Sequence, residues 1–257
     1  MESVLKIDKL KYKDVLKDVT FSLEDKSFNV LVGSNGSGKT TIVKAIRGLI
    51  KYEGNINLFG SDIKNKDSNR EVGFFLNENI RLDDTLFNEL LNMLKNLNYE
   101  EDKAKKRIFS VAKKLDATYL LYKDIKHLLE YEKVIISFVF SIIHEPKLLI
   151  IDNDLEKLDS KHKNKILDYI KSQKKLTLLF ITNNSEYFYD VDKVLLLSDG
   201  KIIELNSFEE ILKNEKKLIK CGSSLPFYAD LSNKLMSYEL LSSNILDAEE
   251  MVNEIWK

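Results

Sequence analysis

The stretch that most constrains the fold is GSNGSGKTT, residues 33–41, which follows the apolar run FNVLV and opens the run IVKAIRGLI. It matches the pattern G-x-x-x-x-G-K-[ST], whose glycines let the backbone curl so that successive N–H groups point into the loop. A strand that enters such a loop and a helix that leaves it add the positive end of the helix dipole. The stretch therefore predicts an α/β fold with a phosphate-binding loop.

The residue types in this loop assign roles toward a nucleoside triphosphate. Lys39 is expected to reach the β- and γ-phosphates, and the hydroxyl of Thr40 is expected to bind Mg²⁺. ATP and Mg²⁺ are thus the predicted cofactors. The predicted nucleotide contacts of the loop are Gly33, Ser34, Asn35, Gly36, Ser37, Gly38, Lys39, Thr40 and Thr41.

A second stretch, HEPKLLIIDNDLEKLD (residues 144–159), predicts a buried strand that ends on Asp152. A carboxylate at this place commonly holds the metal of a nucleotide site. Mg²⁺ keeps several waters and needs only one or two carboxylates. Asp152 is therefore predicted to join Thr40 in binding Mg²⁺.

Hydrophobic patterning extends the fold prediction along the chain. FNVLVG, KLLIID and LTLLFIT are solidly apolar, which suits strands buried on both faces of a mostly parallel sheet. Leucine and lysine recur with helical spacing in the middle of the chain, at about residues 80–143, which predicts an inserted helical subdomain. Residues 221–257 differ in character, with six acidic residues against two lysines, and predict a short C-terminal helical extension after a domain of residues 1–220.

Composition narrows the class of protein. The chain has 40 basic and 41 acidic residues and a net charge of −1, which argues against nucleic acid as a partner. The longest apolar run, residues 134–143, is too short to span a bilayer, and the N-terminus has no apolar signal core, which predicts a cytoplasmic protein. A single cysteine, Cys221, predicts no internal disulfide partner.

These motifs together resemble the nucleotide-binding subunits of ABC transporters, and the resemblance covers the whole chain. Tyr12 stands where such subunits stack an aromatic side chain on adenine, and residues 52–63 resemble the β-hairpin that follows the phosphate loop. Asn77 falls at the Q-loop position, residues 144–152 resemble the Walker B strand, and LEKLD resembles the D-loop, ending on Asp159. The resemblance implies a P-loop NTPase fold of ABC type with an antiparallel β part at the N-terminus.

The last residues narrow the resemblance. SLPFYADLSNKLMSYELLSSNILDAEEMVNEIWK is similar to the C-terminal extension of ATPase subunits of energy-coupling factor (ECF) transporters, through which two ATPase subunits dimerise. This implies the ATP-binding subunit of an importer, peripheral on the inner face of the cell membrane. It implies two partners, a second ATPase subunit, identical or different, and a transmembrane coupling subunit.

The chain departs from the family at its catalytic positions. The signature slot reads Leu-Leu-Glu-Tyr-Glu at residues 128–132, and no glycine occurs between Gly73 and Gly200. An ordinary helix start with acids in its first turn is the favoured interpretation of this segment. Asparagine replaces the Walker B glutamate, the H-loop histidine and the Q-loop glutamine, at Asn153, Asn183 and Asn77 respectively.

An amide can orient water but cannot accept its proton. We therefore expect ATP binding with weak or absent intrinsic turnover, so that whether the chain is an enzyme stays open. The alternative interpretation is a non-transport regulatory or structural protein that dimerises on ATP. A P-loop kinase or a DNA-associated ABC ATPase is disfavoured, because the chain lacks an arginine-rich lid and a long coiled-coil insertion.

Overall fold

The computed structural model describes residues 3–63, 68–78, 82–152, 155–188 and 191–256. Within these ranges the chain folds into two sheets flanked by helices. The strands are β1 (Ser3–Tyr12), β2 (Leu16–Glu24), β3 (Phe28–Gly33), β4 (Glu53–Leu58), β5 (Ser61–Asp62), β6 (Val72–Leu76), β7 (Leu148–Asp152), β8 (Thr177–Ile181), β9 (Lys193–Ser198) and β10 (Lys201–Leu205). The helices are α1 (Lys39–Ile46), α2 (Leu86–Asn96), α3 (Glu101–Lys114), α4 (Glu130–Ile142), α5 (Ser160–Ser172), α6 (Phe208–Lys213), α7 (Glu215–Lys220), α8 (Phe227–Ser237) and α9 (Ala248–Ile255).

The two sheets differ in strand direction. One is antiparallel, with strand order β2-β1-β4-β5. The other has six strands in the order β10-β9-β3-β8-β7-β6, in which β10 pairs with β9 antiparallel and the remaining neighbours are parallel. The predicted α/β fold, with a mostly parallel core sheet and an N-terminal antiparallel part, is confirmed.

Both faces of the six-stranded sheet are covered, which explains its continuous apolar strands. In β3, Val30 and Val32 pack into one hydrophobic core together with Phe138 of α4. Leu31, which points to the opposite face, packs into a second core with Ile42 of α1. Fully burying an aliphatic side chain contributes roughly 1.5–3 kcal/mol, so alternate residues of one strand stabilise two separate layers.

Parallel strands bring their carboxyl ends to one edge of the sheet. β3 ends at Gly33, β6 at Leu76, β7 at Asp152 and β8 at Ile181, and Leu76 lies opposite Asp152 in the ladder. The segments that follow these strands are therefore neighbours, although they lie as far as about 150 residues apart in sequence. This edge positions the candidate site.

The helices lie in two further regions. Helices α2, α3 and α4 fall in the middle of the chain and share the core that contains Phe138. Helices α8 and α9 follow residue 221, and a small separate core forms there from Leu241, Ile245 and Met251. Within the described residues, none of the helices combines the length and the apolar character that crossing a membrane requires.

Candidate functional site

The loop between β3 and α1 has the backbone that the sequence pattern predicts. Gly36 and Gly38 have φ values of +80° and +110°, in the left-handed region that favours glycine. A Cβ at Gly38 would also lie 2.7 Å from Leu16 Cδ2 and 2.9 Å from Val15 Cγ1. Any other residue at Gly38 would therefore be strained by its backbone and crowded by the turn that precedes β2.

Lys39, the first residue of α1, folds back over this loop. Its ammonium donates to the carbonyl oxygens of Gly33 and Ser34, the latter at 3.1 Å. Burial lowers the pKa of Lys39 below its ordinary value, while the nearby Asp152 carboxylate acts in the opposite direction. Among the described residues, the ammonium donates to backbone carbonyls and to no carboxylate, so a phosphate oxygen that approached the loop would meet a cation without displacing a carboxylate.

Thr40 and Asp152 meet at the edge of the sheet. The Thr40 hydroxyl donates to Asp152 Oδ2 at 3.2 Å. Burial raises the pKa of Asp152, and the Thr40 hydrogen bond and the charge of Lys39 partly offset that effect. A hydroxyl and a carboxylate of this kind are oxygen ligands that suit Mg²⁺.

The residues present fit a nucleotide phosphate and its metal ion. The hydroxyl of Ser37 is buried in the loop and has no hydrogen-bond partner among the residues that the structure describes, although buried polar groups are normally paired. A phosphate oxygen in the loop could accept that hydrogen bond. Among the described residues, no group of three or more His, Cys, Asp or Glu side chains could hold a metal. The fit is therefore to Mg²⁺ that arrives with the nucleotide, where it would neutralise phosphate charge.

A cavity of about 450 Å³ opens beside the loop and brings the Q-loop position into the site. Its lining includes Thr40, Asp152, Asn77 and Arg47. The backbone N–H of Asn77 donates to the Asp152 carbonyl at 3.1 Å, and Lys157 Nζ donates to the side-chain oxygen of Asn77 at 3.3 Å. The oxygen of the Asn77 amide is thus engaged by an ammonium in this conformation.

Asn183 also reaches the phosphate loop. It follows β8, and its side-chain oxygen accepts the backbone N–H of Gly33 at 3.3 Å. The position predicted to lack the H-loop histidine is therefore in direct contact with the loop. Asn153 lies outside the described residues, so its predicted role stays a sequence prediction.

Tyr12 is the last residue of β1, and a turn that ends at Val15 follows it. Its carbonyl accepts the N–H of Val15 at 3.1 Å, and Val15 is the residue that crowds Gly38. The Lys13 ammonium lies 5.3 Å from the centroid of the Tyr12 ring. The exposed tip of the loop, which consists of Ser34, Asn35 and Gly36, completes the set of predicted contacts, and Thr41 is part of α1.

The signature slot is the beginning of a helix. Helix α4 starts at Glu130, with Leu129 at its N-cap, as the favoured interpretation of LLEYE predicted. Glu130 is exposed, whereas the side chain of Glu132 is only 2% exposed and forms an ion pair with Lys123. The two acids of this segment therefore differ: one faces solvent and the other is neutralised inside the domain.

Sequence reasoning missed several contacts of the site. It did not identify Lys13, Arg47 or Lys157, which lie beside the predicted residues, and it did not foresee the contact between Asn183 and Gly33. One signal could have revealed the contact of Asn183: polar residues stand at the carboxyl ends of the apolar strands β6, β7 and β8. Asn77 and Asp152 are predicted site residues at two of these ends. Side chains that reach the site from other elements belong to no local sequence motif, so the sequence did not reveal them.

The site has the parts of a P-loop nucleotide-binding domain. A strand leads into a glycine-rich loop, a helix that begins with Lys39 and Thr40 follows, and Asp152 stands at the end of a parallel strand in the same sheet. The family model described as "ABC transporter" matches residues 16–156, more than half of the chain. The chain belongs to the ABC transporter family.

Curated relatives are similar over almost the full chain. The energy-coupling factor transporter ATP-binding protein EcfA1 of Ureaplasma parvum serovar 3 is 29% identical over 252 residues, which cover 95% of this chain and 86% of that protein. EcfA2 of Caldanaerobacter subterraneus subsp. tengcongensis is 28% identical over 254 residues, which cover 93% and 89% respectively. These names agree with the resemblance to ECF ATPase subunits.

Solved structures share the fold. The ATP-binding subunit of an ABC transporter superimposes with a TM-score of 0.74 at 20% identity, covering 99% of this chain and all of that one. The protein cbiO1 of Clostridium perfringens, described as part of the ABC transporter complex cbiONQ, superimposes with a TM-score of 0.68 at 21% identity, covering 86% and 98%. At these identities the likeness concerns the fold.

Proposed function

We propose that this chain is the ATP-binding subunit of an ECF-type importer and that it couples ATP binding, and ATP hydrolysis in the assembled dimer, to solute uptake. The observation that carries the proposal is the phosphate loop. It holds the Lys39 ammonium, the buried Ser37 hydroxyl, which has no hydrogen-bond partner among the described residues, and Thr40, whose hydroxyl donates to Asp152. These groups suit the phosphates of ATP and one Mg²⁺ ion. The names of the curated relatives support the choice of transporter type.

The chain's own residues would share the work of holding the nucleotide. Lys39 would exchange its backbone carbonyls for phosphate oxygens, and Thr40 and Asp152 would orient the metal-bound end. Tyr12 would offer its ring to adenine from the neighbouring turn. By the resemblance, Asn77, Asn153 and Asn183 occupy the sequence positions of the family's catalytic groups, and an amide cannot take a proton from water. Binding is therefore retained in this proposal and intrinsic turnover is weak or absent.

The assembly is proposed to contain at least two further subunits. A second ATPase subunit, identical or different, would pair with this one, and the C-terminal extension, residues 221–257, would contribute to that contact. A transmembrane coupling subunit would hold the pair on the cytoplasmic face of the membrane. The description of cbiO1 as part of a multi-subunit transporter complex supports this arrangement.

The test is to tag the chain in its own cell, solubilise membranes in mild detergent and identify what co-purifies. The proposal predicts an integral membrane protein and an ATPase subunit in stoichiometric amounts. A soluble homodimer that forms with Mg·ATP and carries no membrane subunit would instead support the non-transport regulator. Loss of the second ATPase subunit on removal of residues 228–257, with nucleotide binding retained, would assign the contact between the ATPase subunits to the extension.

A further inference from the structure

Residues 221–227, here called the C-terminal strap, connect α7 to α8 and run beside the segment that follows β8. Three hydrogen bonds tie the two segments together at alternate positions of the strap. The Ser223 hydroxyl donates to the Asn183 carbonyl at 2.8 Å, and the Ser185 hydroxyl donates to the Leu225 carbonyl at 3.1 Å. The Phe227 N–H donates to the Glu186 carboxylate at 3.0 Å. The regular spacing of these bonds makes the strap a fixed neighbour of residues 183–186.

The strap also lies close to the phosphate loop. Gly222 has a φ of +78°, and a Cβ built on it would lie 3.4 Å from Ser34 Cα and 3.5 Å from Asn183 Nδ2. Cys221 is 2% exposed, and burial raises the pKa of its thiol while the charge of Lys39 acts in the opposite direction. The first two residues of the strap therefore lie close to the loop that carries the phosphate-binding groups.

Asn183 is the residue that joins the two contacts. Its backbone carbonyl accepts the Ser223 hydroxyl, and its side-chain oxygen accepts the N–H of Gly33, the first residue of the loop. A movement of the strap would carry the Asn183 backbone with it and would change the geometry of the amide toward Gly33. Conversely, a phosphate that draws the loop inward would change the position of Asn183.

We propose that Ser223 is a positioning residue of the phosphate site, and that the C-terminal strap couples nucleotide occupancy to the C-terminal helices. This inference rests on the proposed binding of ATP. Because coupling between two sites is reciprocal, ATP must stabilise the strap by the same factor by which the strap strengthens ATP binding. Through the strap, nucleotide binding in the loop would therefore change the stability of helices α8 and α9.

The first experiment uses the unmodified chain. Amide hydrogen exchange across residues 221–231 is measured without nucleotide, with Mg·ATP and with Mg·ADP. Slower exchange in the strap with Mg·ATP is expected, since ordering of the loop is transmitted through Asn183. Exchange in the strap that does not respond to saturating Mg·ATP overturns the coupling.

The second experiment compares Ser223→Ala with two matched variants. Ser223→Thr keeps the hydroxyl, and Ser237→Ala removes a serine of α8 whose hydroxyl donates within its own helix, to the Lys234 carbonyl at 2.6 Å. Loss of one hydrogen bond that acts through Asn183 is expected to weaken Mg·ATP binding about three- to tenfold. Ser223→Thr is expected to retain binding, and Ser237→Ala is expected to match the unmodified chain.

Thermal unfolding separates positioning from simple structural support. A purely structural role of Ser223 would lower the melting temperature equally with and without nucleotide. The inference predicts a smaller ATP-induced rise in melting temperature for Ser223→Ala than for Ser237→Ala. An equal rise in both variants contradicts it, while absence of ATP binding in the unmodified chain contradicts the proposed function itself, and this inference with it.

Discussion

Lys123 donates to both carboxylate oxygens of Glu132, at 2.7 and 2.6 Å, and the N–H of Leu129 donates to the same carboxylate at 2.9 Å. Glu132 therefore has a structural role: it caps the N-terminus of α4 and forms a buried ion pair with Lys123. The segment that stands in the signature slot presents Glu130, whose side chain is 87% exposed, as its acidic group to solvent. Its chemistry is that of a helix start, which explains why a glycine-free sequence is tolerated there.

Replacement of Lys123 tests this structural role. Lys123→Ala leaves the buried Glu132 carboxylate without its cation, and we expect the free energy of unfolding to fall by about 2–3 kcal/mol. Lys133→Ala is the matched control, because it removes the exposed partner of Glu130 and should cost about 0.5 kcal/mol or less. Urea unfolding of both variants gives the comparison. Equal decreases in the free energy of unfolding of the two variants would show that the Lys123–Glu132 ion pair stabilises the protein no more than an exposed pair does.

Asp152→Asn is predicted to stabilise the nucleotide-free chain and to remove its response to Mg²⁺. Burial raises the pKa of Asp152 above its ordinary value, so ionisation of this carboxyl costs folding free energy at neutral pH, and a neutral amide of similar shape removes that cost. We expect the melting temperature of the nucleotide-free chain to rise. The additional rise that Mg²⁺ gives in the presence of ATP should disappear. A lower melting temperature with an intact magnesium effect would count against a metal-binding role for Asp152.

The pH dependence of nucleotide affinity follows from the same two side chains. The raised pKa of Asp152 means that affinity for Mg·ATP begins to fall on acidification at a higher pH than an ordinary aspartate, with a pKa of 3.8, would allow. The lowered pKa of Lys39 brings the alkaline loss of affinity below the ordinary lysine value of 10.5. Both shifts narrow the pH range of tight binding.

The measurement is the ratio of the affinities of the unmodified chain and of Asp152→Asn, taken from about pH 4 to about pH 9. The ionisation of the nucleotide itself cancels in this ratio. We expect the advantage of the unmodified chain to shrink as the pH falls. A ratio that does not change with pH would mean that Asp152 does not titrate in the step that governs binding.

The local parts of this site are visible in the sequence, and the long-range contacts are not. The glycine pattern of residues 33–41 determines the loop, and the apolar run before Asp152 determines where that carboxylate stands, so both could be predicted without a structure. The contacts of Asn183 with Gly33 and of Ser223 with Asn183 depend on sheet order and on the path of the chain after α7. Each of these contacts depends on one polar side chain, and one side chain creates no periodic pattern or motif in the sequence.

Steady-state hydrolysis by the purified chain is predicted to be very slow. Loss of one proton-accepting or electrostatic group commonly costs about 10²–10³ in rate, and the sequence predicts asparagine at three catalytic positions of this chain. Phosphate release with saturating Mg·ATP gives the rate, and Lys39→Ala purified identically reports any contaminating ATPase. Fast turnover that Lys39→Ala abolishes would show that the amides at these positions support hydrolysis.

Calorimetric titration of Mg·ATP into the purified chain tests the central claim most directly, with Lys39→Ala and the exposed Lys51→Ala as companions. We predict saturable binding by the unmodified chain, unchanged affinity in Lys51→Ala, and a loss of about 100-fold or more in Lys39→Ala, since a partly buried ammonium is removed from the phosphates. No saturable heat in the unmodified chain, or equal affinity in Lys39→Ala, would contradict the account.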